Sequence, residues 1–162
     1  MKKNNLKDSG RQAAERIAEL WRLHGAQMDV FKIAMREELP TEMRSICGKG
    51  YLIASICMNE ISVIYNQLKC PLQDSALKAS GTKLLSWAKS NPSAQMITVL
   101  QEKQQKLLRK YQSLLNYFDL NEPHLKVLED HIFLIQSLAD KLVPHRNFDT
   151  VRSMEQEHIH ST

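Results

Sequence analysis

The stretch that decides the fold is YLIASICMNEISVIY, residues 51–65, which is apolar on almost every side when it is drawn as a helix. The alternation of apolar and polar residues that marks a half-buried strand is absent from it. Thr41 is a suitable N-cap ahead of this stretch, and the dipeptide Cys70-Pro71 behind it disfavours further helix. The sequence therefore predicts a long helix over residues 41–68, and we expect it to be the most buried helix of the chain.

Apolar residues at three- and four-residue steps predict further helices on both sides of this segment. They cover about residues 9–38, 75–90, 97–118 and 122–142, and the helix over 75–90 is the short one. Short turns at Leu39-Pro40 and at DLNEP, residues 119–123, force neighbouring long helices to pack antiparallel. The expected fold is all-α, an antiparallel helical bundle of four long helices plus one short helix.

The domain organisation follows from the length of the chain and from the positions of the helices. A chain of 162 residues is one domain by the usual size relation. We expect a flexible N-terminus over residues 1–8 and a single helical-bundle domain over residues 9–144. Pro144 is expected to end the last helix, so that residues 145–162 form a partly ordered C-terminal tail.

The composition is that of an ordinary globular protein, with 43% hydrophobic and 25% charged residues. No run of roughly 18 apolar residues could span a membrane, and no apolar segment follows the basic start of the chain. Cys47, Cys57 and Cys70 are odd in number and lack the spacing of a zinc site. We therefore expect a reduced, cytoplasmic protein with no cofactor and no membrane partner.

Polar residues interrupt the apolar seams of the predicted long helices, where a buried charge needs a partner. Counted from the turn at Pro40, His24 and Glu60 differ in axial position by roughly 7 Å, so a contact between them is expected. Two histidines and a carboxylate are also the smallest donor set for a divalent metal. The alternative function is therefore a helical bundle whose polar core binds a metal or a small ligand. The polar core candidates are His24, Glu60, Gln104, His124 and His131.

Basic residues are concentrated in the middle of the chain, because residues 69–110 carry a net charge of +6 and residues 111–162 carry −4. Such asymmetry suits either an anionic partner or attraction between helices. Aromatic residues do not interleave with the basic ones, so nucleic acid is a possible but not a favoured partner. The basic surface candidates are Lys78, Lys83, Lys89, Lys103, Lys106, Arg109 and Lys110.

The C-terminal tail contains a partial motif. Arg146-Asn147 resembles the beginning of the Arg-x-x-x-x-His motif of HEPN-type ribonucleases, which implies an RNase-type helical protein as a further alternative. Val151 stands where that motif requires histidine. The paired histidines His158 and His160 follow later, on a segment expected to fray.

The favoured function is non-enzymatic, namely a helical-bundle protein that binds a protein partner or itself as an adaptor, a regulator or a chaperone-like protein. Val30 and Ile33 lie off the main apolar stripe of the first helix and suggest a second apolar face for a homodimer. Other expected working surfaces are the basic side of the helix over 97–118 and the exposed Trp87. A small polar side of the helix over 41–68 is another, made by Gly48, Ser55, Asn59, Ser62 and Asn66.

Overall fold

The computed structural model describes the backbone of residues 2–68 and 93–159, and the side chains of residues 9–68 and 96–142. Within these ranges every regular element is a helix, so the all-α class is confirmed. The short helix predicted over residues 75–90 lies outside the described residues. The helices are α1 (Lys2–Ala34), α2 (Thr41–Leu68), α3 (Ser93–Tyr117) and α4 (Glu122–Ile159).

The bounds of α2 are those predicted, whereas α1 differs from the prediction at both ends. It begins at Lys2, and it ends at Ala34 instead of continuing to Glu38. Beyond Ala34 the backbone tightens, because the amide of Arg36 donates to the carbonyl of Ile33 three residues earlier. This tighter turn redirects the chain before Pro40, where α-helical backbone is disfavoured.

The predicted stop of the last helix at Pro144 is wrong, because α4 continues to Ile159. Proline lacks the N–H that would donate to the carbonyl of Asp140, four residues earlier. Asp140 lies on the exposed side of α4, where solvent can take the place of the missing donor. The loss of one helical hydrogen bond on that side therefore does not end the helix.

Each helix packs against two others, since α1 and α4 both contact α2 and α3. Glu19 of α1 pairs with Lys110 of α3, whereas Gln27, later in α1, pairs with Gln104, earlier in α3. The two helices therefore run in opposite directions. Neighbour contacts of this kind are typical of an antiparallel four-helix bundle. Within the part of the chain described, no helix combines the length and the apolar character needed to cross a membrane.

Two apolar clusters form the core between the helices, one near the turn that joins α1 to α2 and one nearer the opposite end. Val30 and Ile33 belong to the first cluster and are 1% and 8% exposed. The expectation that they form an outer dimer face is therefore wrong. The start of α3, at Met96, packs into the same cluster. At this end of α1, residues on both sides of the main apolar stripe are therefore buried.

Gly50 sets the distance between α1 and α2. A Cβ atom at this position would overlap the buried ring of Phe31, whereas a Cβ at Gly48 would lie 3.6 Å from the sulfur of Met35, an ordinary contact. Both glycines lie inside a helix, where glycine costs roughly 0.5–1 kcal/mol relative to alanine. Only at Gly50 does close packing require the absence of a side chain.

The two glycines therefore make a matched pair of stability tests. We expect Gly48→Ala to raise the free energy of unfolding by roughly 0.5–1 kcal/mol, since it removes the glycine penalty without a clash. Gly50→Ala should lower it, because overpacking a filled core typically costs about 1–3 kcal/mol. Urea unfolding followed by circular dichroism measures both, and equal effects of the two substitutions would contradict the close approach at Gly50.

Candidate functional site

Within residues 9–68 and 96–142 the buried polar side chains form three separate hydrogen-bonded groups. His24 and His131 meet at Tyr111, Gln27 meets Gln104, and His124 meets a residue of α2. Each group joins two or three helices across the interior. Among the residues whose side chains are described, the buried polar ones are His24, Gln27, Gln104, His124 and His131.

The largest group is centred on the hydroxyl of Tyr111, which is fully buried in α3. Its oxygen lies 2.7 Å from Nε2 of His24 in α1 and 2.9 Å from Nδ1 of His131 in α4. The three rings meet edge to face, with centroids 5.8 and 5.9 Å from that of Tyr111. Together with Glu60 we call these residues the Tyr111 network.

Glu60 joins the Tyr111 network from the surface. Its Oε2 atom lies 3.5 Å from Nε2 of His131, at the outer limit of hydrogen bonding, so the contact is mainly electrostatic. The predicted contact between His24 and Glu60 is wrong, because Glu60 faces α4 whereas His24 faces α3. Glu60 is also not enclosed in an apolar seam, since its side chain is 45% exposed.

The charge of Glu60 favours one direction for the hydrogen bonds in the network, although Nε2 of His131 itself makes no hydrogen bond within the described part of the chain. A carboxylate beside Nε2 of His131 favours the tautomer that carries its proton there, which leaves Nδ1 as an acceptor. The Tyr111 hydroxyl then donates to His131 and accepts from Nε2–H of His24. The other nitrogen of His24, Nδ1, is consequently a bare acceptor, and it has no hydrogen-bond partner among the described residues.

Burial keeps both histidines neutral. Desolvation, with a smaller contribution from His131, lowers the pKa of His24 from 6.5 to about 3. Desolvation also lowers the pKa of His131, although Glu60 and Asp130 partly oppose this effect. Burial raises the pKa of the Cys57 thiol, which lies beside Tyr111, to about 12, so this cysteine stays protonated and unreactive.

The second group joins α1 to α3 through two glutamines. Nε2 of Gln104 donates to Oε1 of Gln27 over 2.8 Å, and Nε2 of Gln27 donates to the backbone carbonyl of Lys103 over 3.2 Å. These directional bonds hold the two helices in a defined register.

The third group joins the start of α4 to the end of α2. Nε2 of His124 donates a short hydrogen bond to Oε1 of Gln67. The backbone N–H of His124 donates to the side chain of Asn121 over 3.0 Å, which is the bond expected of an N-cap residue. His124 is therefore separate from the Tyr111 network, although it lies one heptad before His131 on the same helix.

The predicted metal donor set is not assembled. Among the described residues no group of three or more histidine, cysteine or acidic side chains could hold a metal ion. The hydroxyl of Tyr111 lies between the facing nitrogens of His24 and His131, and Glu60 contacts only the second of these histidines. In the described part of the chain His24, Glu60 and His131 are therefore not brought together as one donor set.

The basic candidates of α3 do not form one exposed patch. Lys110 pairs with Glu19 over 3.0 Å, and Lys103 is half-buried, which lowers its pKa. Lys106 and Arg109 are exposed. The remaining basic candidates, Lys78, Lys83 and Lys89, lie outside the described residues.

The side chains of the partial ribonuclease motif and of the paired histidines also lie outside the described ones. These residues are Arg146, Asn147, Val151, His158 and His160.

A different surface stands out on α2. Leu52, Ile56 and Val63 are 60%, 48% and 55% exposed. At 100° per residue they fall within roughly 40° of one another, and we call them the aliphatic stripe. The expectation that α2 is the most buried helix is wrong for the residues described, because α1 has a larger share of buried residues and α2 exposes this stripe.

The aliphatic stripe continues into a groove between α2 and α4. A cavity of about 450 Å³ opens there, lined by Val63, Gln67, Pro123 and Val127 among others. Glu60 lies at its margin and contacts the Tyr111 network. This groove therefore combines apolar walls with a few polar groups, a combination typical of recognition sites.

Three residues of these polar groups escaped the sequence prediction, namely Tyr111, Gln27 and Gln67. Tyr111 lies at an apolar seam position of the helix predicted over 97–118, and the available signal was that a buried tyrosine hydroxyl usually has a partner. Gln27 lies three residues after His24, on the same side of α1, and this spacing was the available signal.

Acid should destabilise the protein through the buried histidines. In the unfolded chain both histidines bind a proton below about pH 6.5, whereas in the fold they remain neutral. The free energy of unfolding therefore falls as the pH decreases. For His24 the change approaches roughly 1.4 kcal/mol per pH unit between its unfolded and folded pKa values. The loss begins near pH 6.5 and for His24 extends to its folded pKa of about 3. Urea unfolding between about pH 4 and pH 5.5 should show a shallower slope for His24→Leu, by about one proton. An unchanged slope would mean that His24 is protonated in the fold.

Removing the hydroxyl of Tyr111 should leave two buried nitrogens without a partner. We expect Tyr111→Phe to lower the free energy of unfolding by roughly 1–3 kcal/mol for each of them. Tyr117→Phe is the matched control, because Tyr117 is 81% exposed. The triple variant His24→Leu, Tyr111→Phe, His131→Leu should regain stability, since it replaces the whole polar group by apolar side chains. A triple variant less stable than Tyr111→Phe alone would contradict this account.

Similarity to known proteins does not supply a function. No family model matches the chain, and neither a curated protein nor a solved structure matches it. A function is therefore inferred from the exposed and buried groups themselves.

Proposed function

We propose that this chain is a non-enzymatic helical-bundle protein that binds a protein partner, and that it does so by seating an amphipathic helix of the partner on the aliphatic stripe of α2. The observation that carries this proposal is the alignment of Leu52, Ile56 and Val63, each about half exposed, on one side of a helix. Scattered exposed apolar residues are common on soluble proteins, whereas an aligned set is typical of an interaction surface.

The shape of the surface favours a helix as the partner element. Apolar residues one and several turns apart match the spacing of the apolar face of another helix, as in complexes where a helix lies in a groove. Complete burial of an aliphatic side chain stabilises by roughly 1.5–3 kcal/mol, and these three are already partly covered. The stripe therefore supports a binding energy of a few kcal/mol, which suits a reversible adaptor or regulator.

The charges beside the stripe are mixed, because the half-exposed Glu60 favours a cationic group on the partner helix and the exposed Lys49 favours an anionic one. Glu60 lies between Ile56 and Val63 and is partly exposed. Asp130 of α4 is exposed, and it acts electrostatically on His131. Complementary charge improves the rate and the specificity of association more than the affinity.

The buried groups support a structural role and not a catalytic one. His24 and His131 are each 1% exposed, and the Tyr111 hydroxyl occupies one nitrogen of each. A general base must come within hydrogen-bonding distance of its substrate. Burial also keeps the Cys57 thiol protonated, because it raises its pKa to about 12.

The proposal is tested by placing a photo-reactive benzophenone side chain at position 56 in cells that produce the protein. A matched variant carries it at Gln112, which is exposed on α3. We expect position 56 to cross-link to an amphipathic helical segment of another protein, and position 112 not to do so. Equal capture at the two positions would contradict the proposal.

The captured protein is then purified and titrated against the substituted chains. Ile56→Lys should weaken its binding about tenfold or more, since roughly 1.4 kcal/mol of apolar burial is lost. Gln112→Lys should leave the affinity unchanged. Binding that is insensitive to Ile56→Lys would place the partner elsewhere on the molecule.

A further inference from the structure

We propose that the groove between α2 and α4 is a binding site for a small organic cation, namely a primary ammonium group carried on a compact apolar frame. The cavity in this groove has a volume of about 450 Å³, which lies within the range of small-molecule sites. This inference goes beyond the proposed function and does not rest on it, because the groove shares only Val63 with the aliphatic stripe.

The walls of the groove account for the apolar frame of the ligand. Val63 and Ile64 come from α2, whereas Pro123 and Val127 come from α4. Their side chains carry no polar atoms, so a ligand gains free energy against them only by removing apolar surface from water. A wholly polar molecule would gain little here, and the ligand must therefore have an apolar body.

The polar groups that line the groove can all accept hydrogen bonds. His124 orients two of them, because its Nε2–H donates to Oε1 of Gln67 and its backbone N–H donates to Oδ1 of Asn121. Each of these oxygens keeps a second lone pair. With its proton on Nε2, His124 has a bare acceptor at Nδ1, which finds no partner in the described residues although the side chain is only 7% exposed. Such a set favours a ligand with several N–H donors, as a primary ammonium has.

Charge determines the sign of the ligand. Of the described residues that line the groove, Glu60 alone carries a net charge when histidine is neutral. Its Oε2 atom faces His131, and the side chain is 45% exposed, so Oε1 remains available to a ligand. Around the groove, residues 122–130 of α4 add one lysine and three carboxylates. A cation therefore gains a charge-assisted hydrogen bond at Glu60, whereas an anion is repelled.

The helix end beside the groove does not reverse this preference. The N-terminus of a helix favours anions, because its first N–H groups lack partners within the helix. In α4, however, Pro123 has no N–H, and the amide of His124 already donates to the side chain of Asn121. Glu122 places a further carboxylate in the same turn. The first turn of α4 therefore offers few donors to an anionic ligand.

Titration of the full chain with phenethylammonium tests the inference, because this ion combines a primary ammonium with an apolar frame. In heteronuclear NMR spectra we expect saturable shifts of the amide signals of Val63, His124 and Val127, and no shift at Gln112 on the exposed side of α3. Hydrocinnamate carries a carboxylate on a similar frame, and it should bind about tenfold more weakly or less.

Substitutions in the groove separate the charge from the apolar wall. Glu60→Gln should weaken the binding of phenethylammonium about tenfold, since it removes the carboxylate charge. Val63→Ser should weaken it several-fold, and Val63 is exposed enough for the fold to tolerate this change. The matched control is Glu129→Gln, which removes an exposed carboxylate on the opposite side of α4 from Val127 and should leave the affinity unchanged.

Four results would overturn the inference. The first is the absence of saturable shifts in the groove at millimolar phenethylammonium, and the second is equal affinity for phenethylammonium and hydrocinnamate. The third is an equal effect of Glu60→Gln and Glu129→Gln in variants that circular dichroism shows to be folded. The fourth is equal affinity for a blocked lysine, which would assign the groove to a lysine side chain of another protein. The comparison of the two probes needs no substitution, so it decides even if Glu60→Gln unfolds the chain. The titration also uses no partner protein, so failure of this inference and failure of the proposed function are distinguishable.

Discussion

The single proton of the Tyr111 hydroxyl is the constraint on which the interior depends. Two imidazoles face this oxygen, and it can donate to only one of them. The carboxylate of Glu60 favours His131 as the acceptor, because its negative charge favours a proton on the His131 nitrogen that faces it. The chain of contacts from Glu60 through His131 and Tyr111 to His24 therefore includes one residue from each of the four helices.

Glu60 connects this interior to the surface that we propose for binding. It lies between two members of the aliphatic stripe and also contacts His131. A cationic side chain that docks beside Glu60 competes with His131 for the carboxylate and weakens its preference for one tautomer. The polar interior and the apolar surface are thus linked through one half-exposed side chain.

Helices could be predicted from this sequence where capping residues and prolines mark their ends. The contacts between helices could not be predicted. Thr41 and the Cys70-Pro71 dipeptide were sufficient to place α2. The helix end predicted at Pro144 was wrong, because the effect of a proline depends on whether the carbonyl four residues earlier can reach solvent. The side of its own helix on which His24 or Glu60 lies could be predicted from the sequence. Which other helix packs against that side could not, because it depends on the packing of all the helices together. Tyr111 was missed for the same reason, since its hydroxyl acquires a role only when α1 and α4 both reach it.

The close approach at Gly50 has a consequence for the order of folding. α1 and α2 are joined by the short connection at residues 35–40, and the ring of Phe31 reaches the backbone of α2 at Gly50. Contacts between segments so near in sequence close a small loop, which carries a low entropic cost and favours rapid formation. We therefore expect the α1–α2 hairpin to nucleate the fold. The polar groups that join it to α3 and α4 then form later, across longer separations in the chain.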